Sequence, residues 1–135
     1  MTVRPPEVLF LCVHNAGRSQ MAAALLSDLA GDRVVVHTAG SEPADRLNPA
    51  VVEALHEMGL DITGKVPTKL TSEMAAKADV IVTMGCGASC PVFPGKRYLD
   101  WELTDPAGLP LDQVRVIRDE IAARVAGLFD ELTSP

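Results

Sequence analysis

Six consecutive apolar residues, Val8-Leu9-Phe10-Leu11-Cys12-Val13, stand near the beginning of the chain. A run without polar alternation predicts a strand buried on both faces, and such strands occur in parallel sheets that helices cover on each side. The run is too short to cross a bilayer as a helix. After a polar turn, Ser19–Leu29 has the apolar spacing of an amphipathic helix, so the chain opens as an α/β protein does.

The alternation of strands and helices continues along the chain. Further strands are predicted at Val34–Val36, Val80–Met84 and Arg97–Leu99, and further helices from Pro49 to about Met58, over Leu70–Ala78, and from Leu111 to about Leu132. Strands separated by helices predict a right-handed, mostly parallel sheet of four strands. Because such sheets bind ligands beyond the carboxyl ends of their strands, a site is expected after Val13, Val36 and Met84.

The predicted helices carry recognisable signals at their ends and on their faces. Asn48 before Pro49 is predicted to cap the second helix, and Gly31 to end the first. The first helix should bury one stripe, formed by Met21, Leu25, Leu26 and Leu29. The last helix repeats apolar residues at steps of three and four, which predicts a long amphipathic helix.

Composition and charge narrow the function classes. With 135 residues, of which 47% are hydrophobic, the chain has the size and apolar content of one globular domain over residues 1–135. A net charge of −6 disfavours nucleic acid as a partner, although one positive pocket can still bind a small anion. No targeting or membrane segment is recognised, and three cysteines do not form a secreted disulfide framework, so a cytoplasmic protein is expected.

The segment between the first strand and the first helix has the pattern of an anion site. Residues 12–19, called the cradle here, read Cys12-Val13-His14-Asn15-Ala16-Gly17-Arg18-Ser19. Five residues between the cysteine and the arginine suffice to curl a loop whose N–H groups face a tetrahedral anion at the helix start. The predicted oxyanion-binding residues are therefore Val13, His14, Asn15, Ala16, Gly17, Arg18 and Ser19.

The residue types in the cradle also point to a nucleophile. A helix N-terminus and a cation favour the thiolate form of a cysteine, which is the reactive form. Arg18 provides a planar fork that matches two oxygens of phosphate or arsenate. Ser19 can donate a hydrogen bond to the sulfur of Cys12 while capping the helix. Asn15 tolerates a left-handed backbone conformation, so it is expected to hold the shape of the loop.

These motifs resemble a known family. Cys12 followed after five residues by Arg18-Ser19, with Asp105-Pro106 far downstream, resembles the low-molecular-weight protein tyrosine phosphatase fold. The longer stretch from Cys12 to Ala22 is more similar to the arsenate reductases built on that fold, and so are the segments Thr38–Pro43 and Gly85–Pro91. The resemblance implies a three-layer sandwich around the parallel sheet, with Cys12 as nucleophile, Arg18 as oxyanion clamp and Asp105 as general acid.

The other two cysteines decide between the activities of that family. Cys86 and Cys90 follow the strand Val80–Met84 and should emerge at the same end of the sheet as Cys12. Their spacing permits a strained disulfide, which is easily reduced. The resemblance implies that Cys12 bonds arsenic, Cys86 attacks Cys12, and Cys90 then forms a disulfide with Cys86. It also implies thioredoxin as the external reductant; some similar enzymes use only the first cysteine, with mycothiol and mycoredoxin.

Other functions stay open beside arsenate reduction. One is a phosphatase acting on phosphotyrosine or small phosphoesters, although Ala107-Gly108 after Asp105-Pro106 provides no aromatic wall for a phosphotyrosine ring. Another is an anion-binding or redox-sensing module without catalysis. Phosphate and sulfate should compete with arsenate, and a weak phosphatase activity is expected.

No metal or other cofactor is predicted. Zinc would require a further ligand beside the cysteines. Some relatives bind potassium near the cradle through two acidic residues, but the corresponding stretches here, Met21–Ala24 and Pro67–Lys69, contain no carboxylate.

Overall fold

Four parallel strands form the centre of the protein in the computed structural model, which describes residues 4–85 and 95–134. The strands are β1 (Glu7–Cys12), β2 (Val35–Gly40), β3 (Val80–Thr83) and β4 (Arg97–Asp100). Their order is β2-β1-β3-β4, and every pairing is parallel, so the expected mostly parallel sheet is parallel throughout. This order brings β1 and β3 to the middle, which explains why their residues are apolar without alternation.

Helices cover the two faces of the sheet, as the predicted three-layer arrangement requires. They are α1 (Arg18–Ala30), α2 (Pro49–His56), α3 (Ser72–Lys77) and α4 (Leu111–Thr133), with a 3-10 turn at Gly31–Arg33. Val8 and Phe10 of β1 pack in the core shared with α1, α2 and α4, whereas Leu9 and Leu11 face the side covered by α3. All four side chains are fully buried. Among the described residues, no helix has both the length and the hydropathy needed to span a bilayer.

Every predicted strand and helix is present, with shifts at the ends. The second strand is longer than Val34–Val36, since it continues to Gly40, and the second helix ends at His56 instead of Met58. Asn48 caps α2 by accepting a hydrogen bond from the Ala50 N–H at 2.9 Å. One packing expectation is wrong: Leu29 is 43% exposed, and Ala30 is the buried residue in the last turn of α1.

Candidate active site

The cradle connects β1 to α1 at the carboxyl end of the sheet, and a neighbouring segment holds it from outside. That segment, residues 41–48, follows β2, and four of its backbone N–H groups donate to cradle carbonyls. The pairs are Ser41 to Cys12 at 3.3 Å, Glu42 to Val13 at 2.9 Å, Ala44 to His14 at 2.9 Å and Asn48 to Ala16 at 3.0 Å. Within residues 4–85 and 95–134, the N–H groups of residues 13–18 donate to no protein acceptor. A loop with occupied carbonyls and unused N–H groups is suited to bind an anion.

Asn15 is the structural centre of the cradle. It is fully buried and has a φ of 51°, the left-handed conformation that the sequence suggested. Its Nδ2 donates to the hydroxyls of Ser19 and Thr38 at 2.7 and 2.6 Å. Its Oδ1 accepts from the Thr68 N–H at 2.8 Å and from Nε2 of Gln20 at 3.3 Å. The side-chain amide therefore uses both donor hydrogens and both acceptor positions, which immobilises the loop.

The sulfur of Cys12 lies inside this network. Cys12 is only 2% exposed, and its Sγ is 2.9 Å from the hydroxyl oxygen of Ser19. Because Asn15 already donates to that oxygen, the hydroxyl hydrogen of Ser19 is available to the sulfur. The expectation that Ser19 also caps the helix is wrong. The helix begins one residue earlier, at Arg18, its N-cap is Gly17, and no side chain provides the cap.

Arg18 approaches the cavity from the first turn of α1. It is 6% exposed, and its Nη1 donates to the carbonyl oxygen of Leu103 at 3.4 Å. Gly85 packs so closely against the guanidinium that a Cβ at this position would overlap Nη1. Gly85 also has a φ of +84°, so glycine is required there for two independent reasons. A guanidinium removed from water in this way interacts strongly with a bound anion.

Asp105 faces the cradle from the connection between β4 and α4, residues 101–110, called the acid loop here. Its Oδ2 is 3.7 Å from Nη2 of Arg18, and its Oδ1 accepts from the N–H of Ala107 at 3.0 Å. The side chain is 47% exposed. Contact with Arg18 places the carboxyl where it can reach the oxygen atoms of an anion in the cradle.

A cavity of about 260 Å³ brings these groups together. Cys12, Arg18 and Asp105 line it, together with His14, Ala16 and Gly17 from the cradle. Of the other predicted oxyanion-binding residues, Asn15 and Ser19 are buried behind the cavity, and Val13 lies outside its lining. The remaining lining comes from Ala44, Asn48, Pro106 and Ala107.

Several contributors to the site went unrecognised in the sequence. The carbonyl of Leu103 and the close approach of Gly85 leave no signal in the sequence, because they depend on how distant segments meet. Asn48 did leave a signal: near the exit of the second strand it could either cap a helix or support the cradle, and it does both, since its N–H donates to the carbonyl of Ala16. Thr38 and Thr68 contact Asn15 from two other segments, and only the fold shows that they do.

The second and third predicted thiols, Cys86 and Cys90, lie outside the described residues. Gly85, the last described residue before them, touches Arg18. Among the described residues, no three His, Cys, Asp or Glu side chains gather in a way that could hold a metal ion.

A buried thiol in a strand–loop–helix cradle, with an arginine beside it and a carboxyl opposite, is the arrangement of a phosphatase-like protein. Comparison with known families agrees. The family described as "Low molecular weight phosphotyrosine protein phosphatase" matches residues 7–135. The chain belongs to this family.

Individual relatives within the family are arsenate reductases. The arsenate reductase of Brevibacillus brevis is 38% identical over 121 residues, which is 87% of this chain and 90% of that protein. The structure of the thioredoxin-dependent arsenate reductase Cg_ArsC1' of Corynebacterium glutamicum is 46% identical with a TM-score of 0.81, and the match covers 96% of this chain. This chain spans only 62% of the length of that structure. A further structure, described as an arsenate reductase in the phosphate binding state, is 29% identical with a TM-score of 0.84, covering 95% and 99% of the two chains.

Proposed function

We propose that this protein is an arsenate reductase that converts arsenate to arsenite and so protects the cell from arsenic. The observation that carries the proposal is the cavity in which the thiol of Cys12, the guanidinium of Arg18 and the carboxyl of Asp105 face one small volume. The similarity to arsenate reductases over nearly the full length of the chain supports the choice of arsenate over a phosphoester.

The first step makes a bond between sulfur and arsenic. The thiolate of Cys12 attacks arsenate, Asp105 donates a proton to the departing oxygen, and water leaves. Arg18 and the N–H groups of the cradle, which donate to no acceptor among the described residues, bind the remaining oxygens and stabilise their charge. The arsenic is still in its +5 state at this point, since no electrons have yet been transferred to it.

The second step reduces the arsenic. A thiolate of Cys86 attacks the sulfur of Cys12, a disulfide forms, and the electron pair of the sulfur–arsenic bond passes to arsenic, which leaves as arsenite. Cys90 then attacks Cys86, which frees Cys12 and leaves a Cys86–Cys90 disulfide. The position of Gly85 supports this order, because the residue directly before Cys86 touches the arginine of the cradle.

Thioredoxin is the proposed reductant of the Cys86–Cys90 disulfide, by similarity to the thioredoxin-dependent relative. The alternative is a reaction in which Cys12 alone works with mycothiol and mycoredoxin. A third proposal concerns phosphatase activity. The family description and the presence of Cys12, Arg18 and Asp105 in one cavity favour a weak activity on small phosphoesters, since hydrolysis of a phosphocysteine needs no second thiol.

Serine substitutions of the three cysteines test the relay. Cys12→Ser should abolish arsenite release and phosphatase activity, since serine is a far poorer nucleophile. Cys86→Ser should block arsenate reduction and spare hydrolysis of p-nitrophenyl phosphate. Cys90→Ser should permit about one turnover per chain and then stop with Cys12 joined to Cys86, which peptide mapping after arsenate treatment detects.

The same variants separate the two reductants. If Cys86→Ser and Cys90→Ser both keep full turnover with mycothiol and mycoredoxin, the intramolecular relay is wrong and Cys12 acts alone. If the wild-type protein hydrolyses p-nitrophenyl phosphate but releases no arsenite with any reductant, the phosphatase proposal replaces the reductase.

A further inference from the structure

Asn48 occupies a position where three parts of the site meet. Its backbone N–H donates to the carbonyl of Ala16 in the cradle at 3.0 Å. Its side-chain Oδ1 accepts from the N–H of Ala50 and so caps α2. Its side-chain Nδ2 donates to the carbonyl of Pro106 in the acid loop at 3.4 Å, across 58 residues of sequence. Asn48 also lines the cavity beside Asp105.

The turn that Asn48 contacts is the turn that carries the acid. Pro106 follows Asp105 directly, and its carbonyl accepts from the N–H of Leu109 at 3.0 Å as well as from Asn48. Asp105 closes the same turn by accepting from Ala107. Among described residues, the amide of Asn48 is the only side chain outside the acid loop that donates to this turn. Arg18 approaches the Asp105 carboxyl directly, and Asn48 acts on the Pro106–Ala107 peptide, whose N–H donates to that carboxyl.

The acid loop packs tightly against the cradle. A Cβ on Gly17 would lie 2.7 Å from Cγ of Pro106, so the ring of Pro106 rests directly on the cradle backbone. Van der Waals contact sets how near the acid loop comes, but a proline ring provides no directional bond. The hydrogen bond from Asn48 supplies that direction, since it fixes the rotation of the Pro106–Ala107 peptide, whose N–H donates to Asp105.

We propose that Asn48 is a positioning residue, which holds the Asp105 carboxyl over the cradle through its hydrogen bond to Pro106. The inference rests on the proposed function, in which Asp105 protonates the departing oxygen. Asn48 does not touch the anion in this role; its amide acts on turnover through the acid loop alone.

Two substitutions separate the helix cap from the hydrogen bond to Pro106. Asn48→Ser keeps an oxygen that can cap α2 but is too short to reach Pro106, whereas Asn48→Ala removes both interactions. The expected result is that both variants lower kcat for arsenate by about tenfold, because a misplaced acid loses most of its contribution. Only Asn48→Ala should also lower Tm clearly.

The affinity for phosphate distinguishes a positioning role from a general loss of structure, because only a positioning role lowers kcat while leaving this affinity unchanged. The backbone N–H of residue 48 still supports Ala16 in both variants, so the inhibition constant of phosphate should stay within about twofold of the wild-type value while kcat falls. Thr71→Ala is the matched control. Thr71 caps α3 by accepting from the Met74 N–H, far from the cavity, so its loss should lower Tm and leave kcat unchanged.

A double-mutant cycle with Asp105 completes the test. In an Asp105→Asn background, Asn48→Ser should cause no further loss of kcat, because the group that it positions is already gone. The positioning role is wrong if Asn48→Ser turns over arsenate as the wild type does. It is also wrong if the fold-losses of kcat caused by Asn48→Ser and Asp105→Asn multiply in the double variant. If Asp105→Asn itself keeps full activity, the failure lies in the proposed acid role, and the inference falls with it.

Discussion

The cradle and the acid loop face the same cavity but are built in opposite ways. In the cradle, Cys12, Asn15 and Ser19 are almost fully buried and linked by short hydrogen bonds. In the acid loop, Asp105 is half exposed, and its contacts are a turn of its own and a 3.7 Å approach to Arg18. The part proposed to bind the anion is buried and held by hydrogen bonds, while the part proposed to deliver a proton is open to solvent.

The proposed roles of the two parts account for this difference. An anion is bound best by donors that are already oriented before it arrives, because reorienting them would cost free energy during the reaction. A general acid must exchange protons with water between turnovers, so it cannot be sealed in the interior. If this division is correct, changes in the cradle should alter anion affinity, and changes in the acid loop should alter turnover only.

The largest effect is expected for Arg18→Lys in the cradle. Lysine keeps the charge but cannot reproduce two parallel hydrogen bonds to an anion, so kcat/KM for arsenate should fall by about a thousandfold. Phosphate should inhibit the wild-type protein competitively and this variant far more weakly. Steady-state kinetics at several phosphate concentrations measure both, and near-normal arsenate reduction by the variant would remove Arg18 from its role.

Asp105→Asn should have the next largest effect, and a different kind of effect. The amide keeps the shape of the side chain but has no acidic proton to donate, so kcat should fall by about a hundredfold. Phosphate inhibition should persist at the wild-type level or become slightly stronger, since a negative charge near Arg18 is lost. A rise of the phosphate inhibition constant parallel to the fall in kcat would contradict the division between the two regions.

Removal of the Asn15 amide tests the rigidity of the cradle through stability. Asn15→Gly keeps the left-handed conformation but leaves the hydroxyls of Ser19 and Thr38 without their donor and the Thr68 N–H without its acceptor, so the free energy of unfolding should drop by about 3 kcal/mol. Asn15→Ala should lose about 1 kcal/mol more, because alanine is strained at positive φ. Urea denaturation of the three proteins gives both numbers; equal stability of the two variants would mean that the backbone strain is relieved elsewhere.

The smallest effect concerns an ion-pair cluster outside both regions. Hydrogen bonds from Arg115, and secondarily from Arg118, lower the pKa of Glu57 from its ordinary value of 4.5 to about 2. A depressed pKa stabilises the folded state above the ordinary pKa, and this contribution disappears as the pH falls from 4.5 towards 2. The cluster joins the end of α2 to α4, away from the cavity.

Glu57→Gln should therefore make the unfolding free energy less dependent on pH within that window and leave kcat unchanged. Denaturation at several acidic pH values, compared between the variant and the wild type, isolates this one group from the other carboxylates. The slope of the unfolding free energy against pH should differ between the variant and the wild type by the equivalent of at most about one bound proton. Identical slopes for the two proteins would contradict the lowered pKa of Glu57 in the folded protein.

The elements nearest to the cradle were the most predictable part of the molecule. Val8 to Cys12 are apolar without interruption because β1 lies inside the sheet, and the loop and α1 follow directly in sequence. Asn15 in a left-handed conformation and the contact of Ser19 with Cys12 are likewise local, across four to seven residues. Helix ends were less predictable: the hydroxyl of Ser19 is occupied by Cys12 and Asn15 and does not cap α1, and α2 ends at His56, before the expected Met58.

The sequence by itself determined the strand–loop–helix unit and its placement of Cys12 and Arg18, the proposed nucleophile and clamp, since this unit forms within about two dozen consecutive residues. Only the tertiary structure decided what stands opposite the cradle. Leu103 reaches Arg18 across 85 residues, and Asn48 reaches Pro106 across 58. These long-range contacts follow from the parallel strand order β2-β1-β3-β4, which places the connections after β2, β3 and β4 at the same end of the sheet. A local pattern carries no information about strand order, because that order is set by the packing of the whole core.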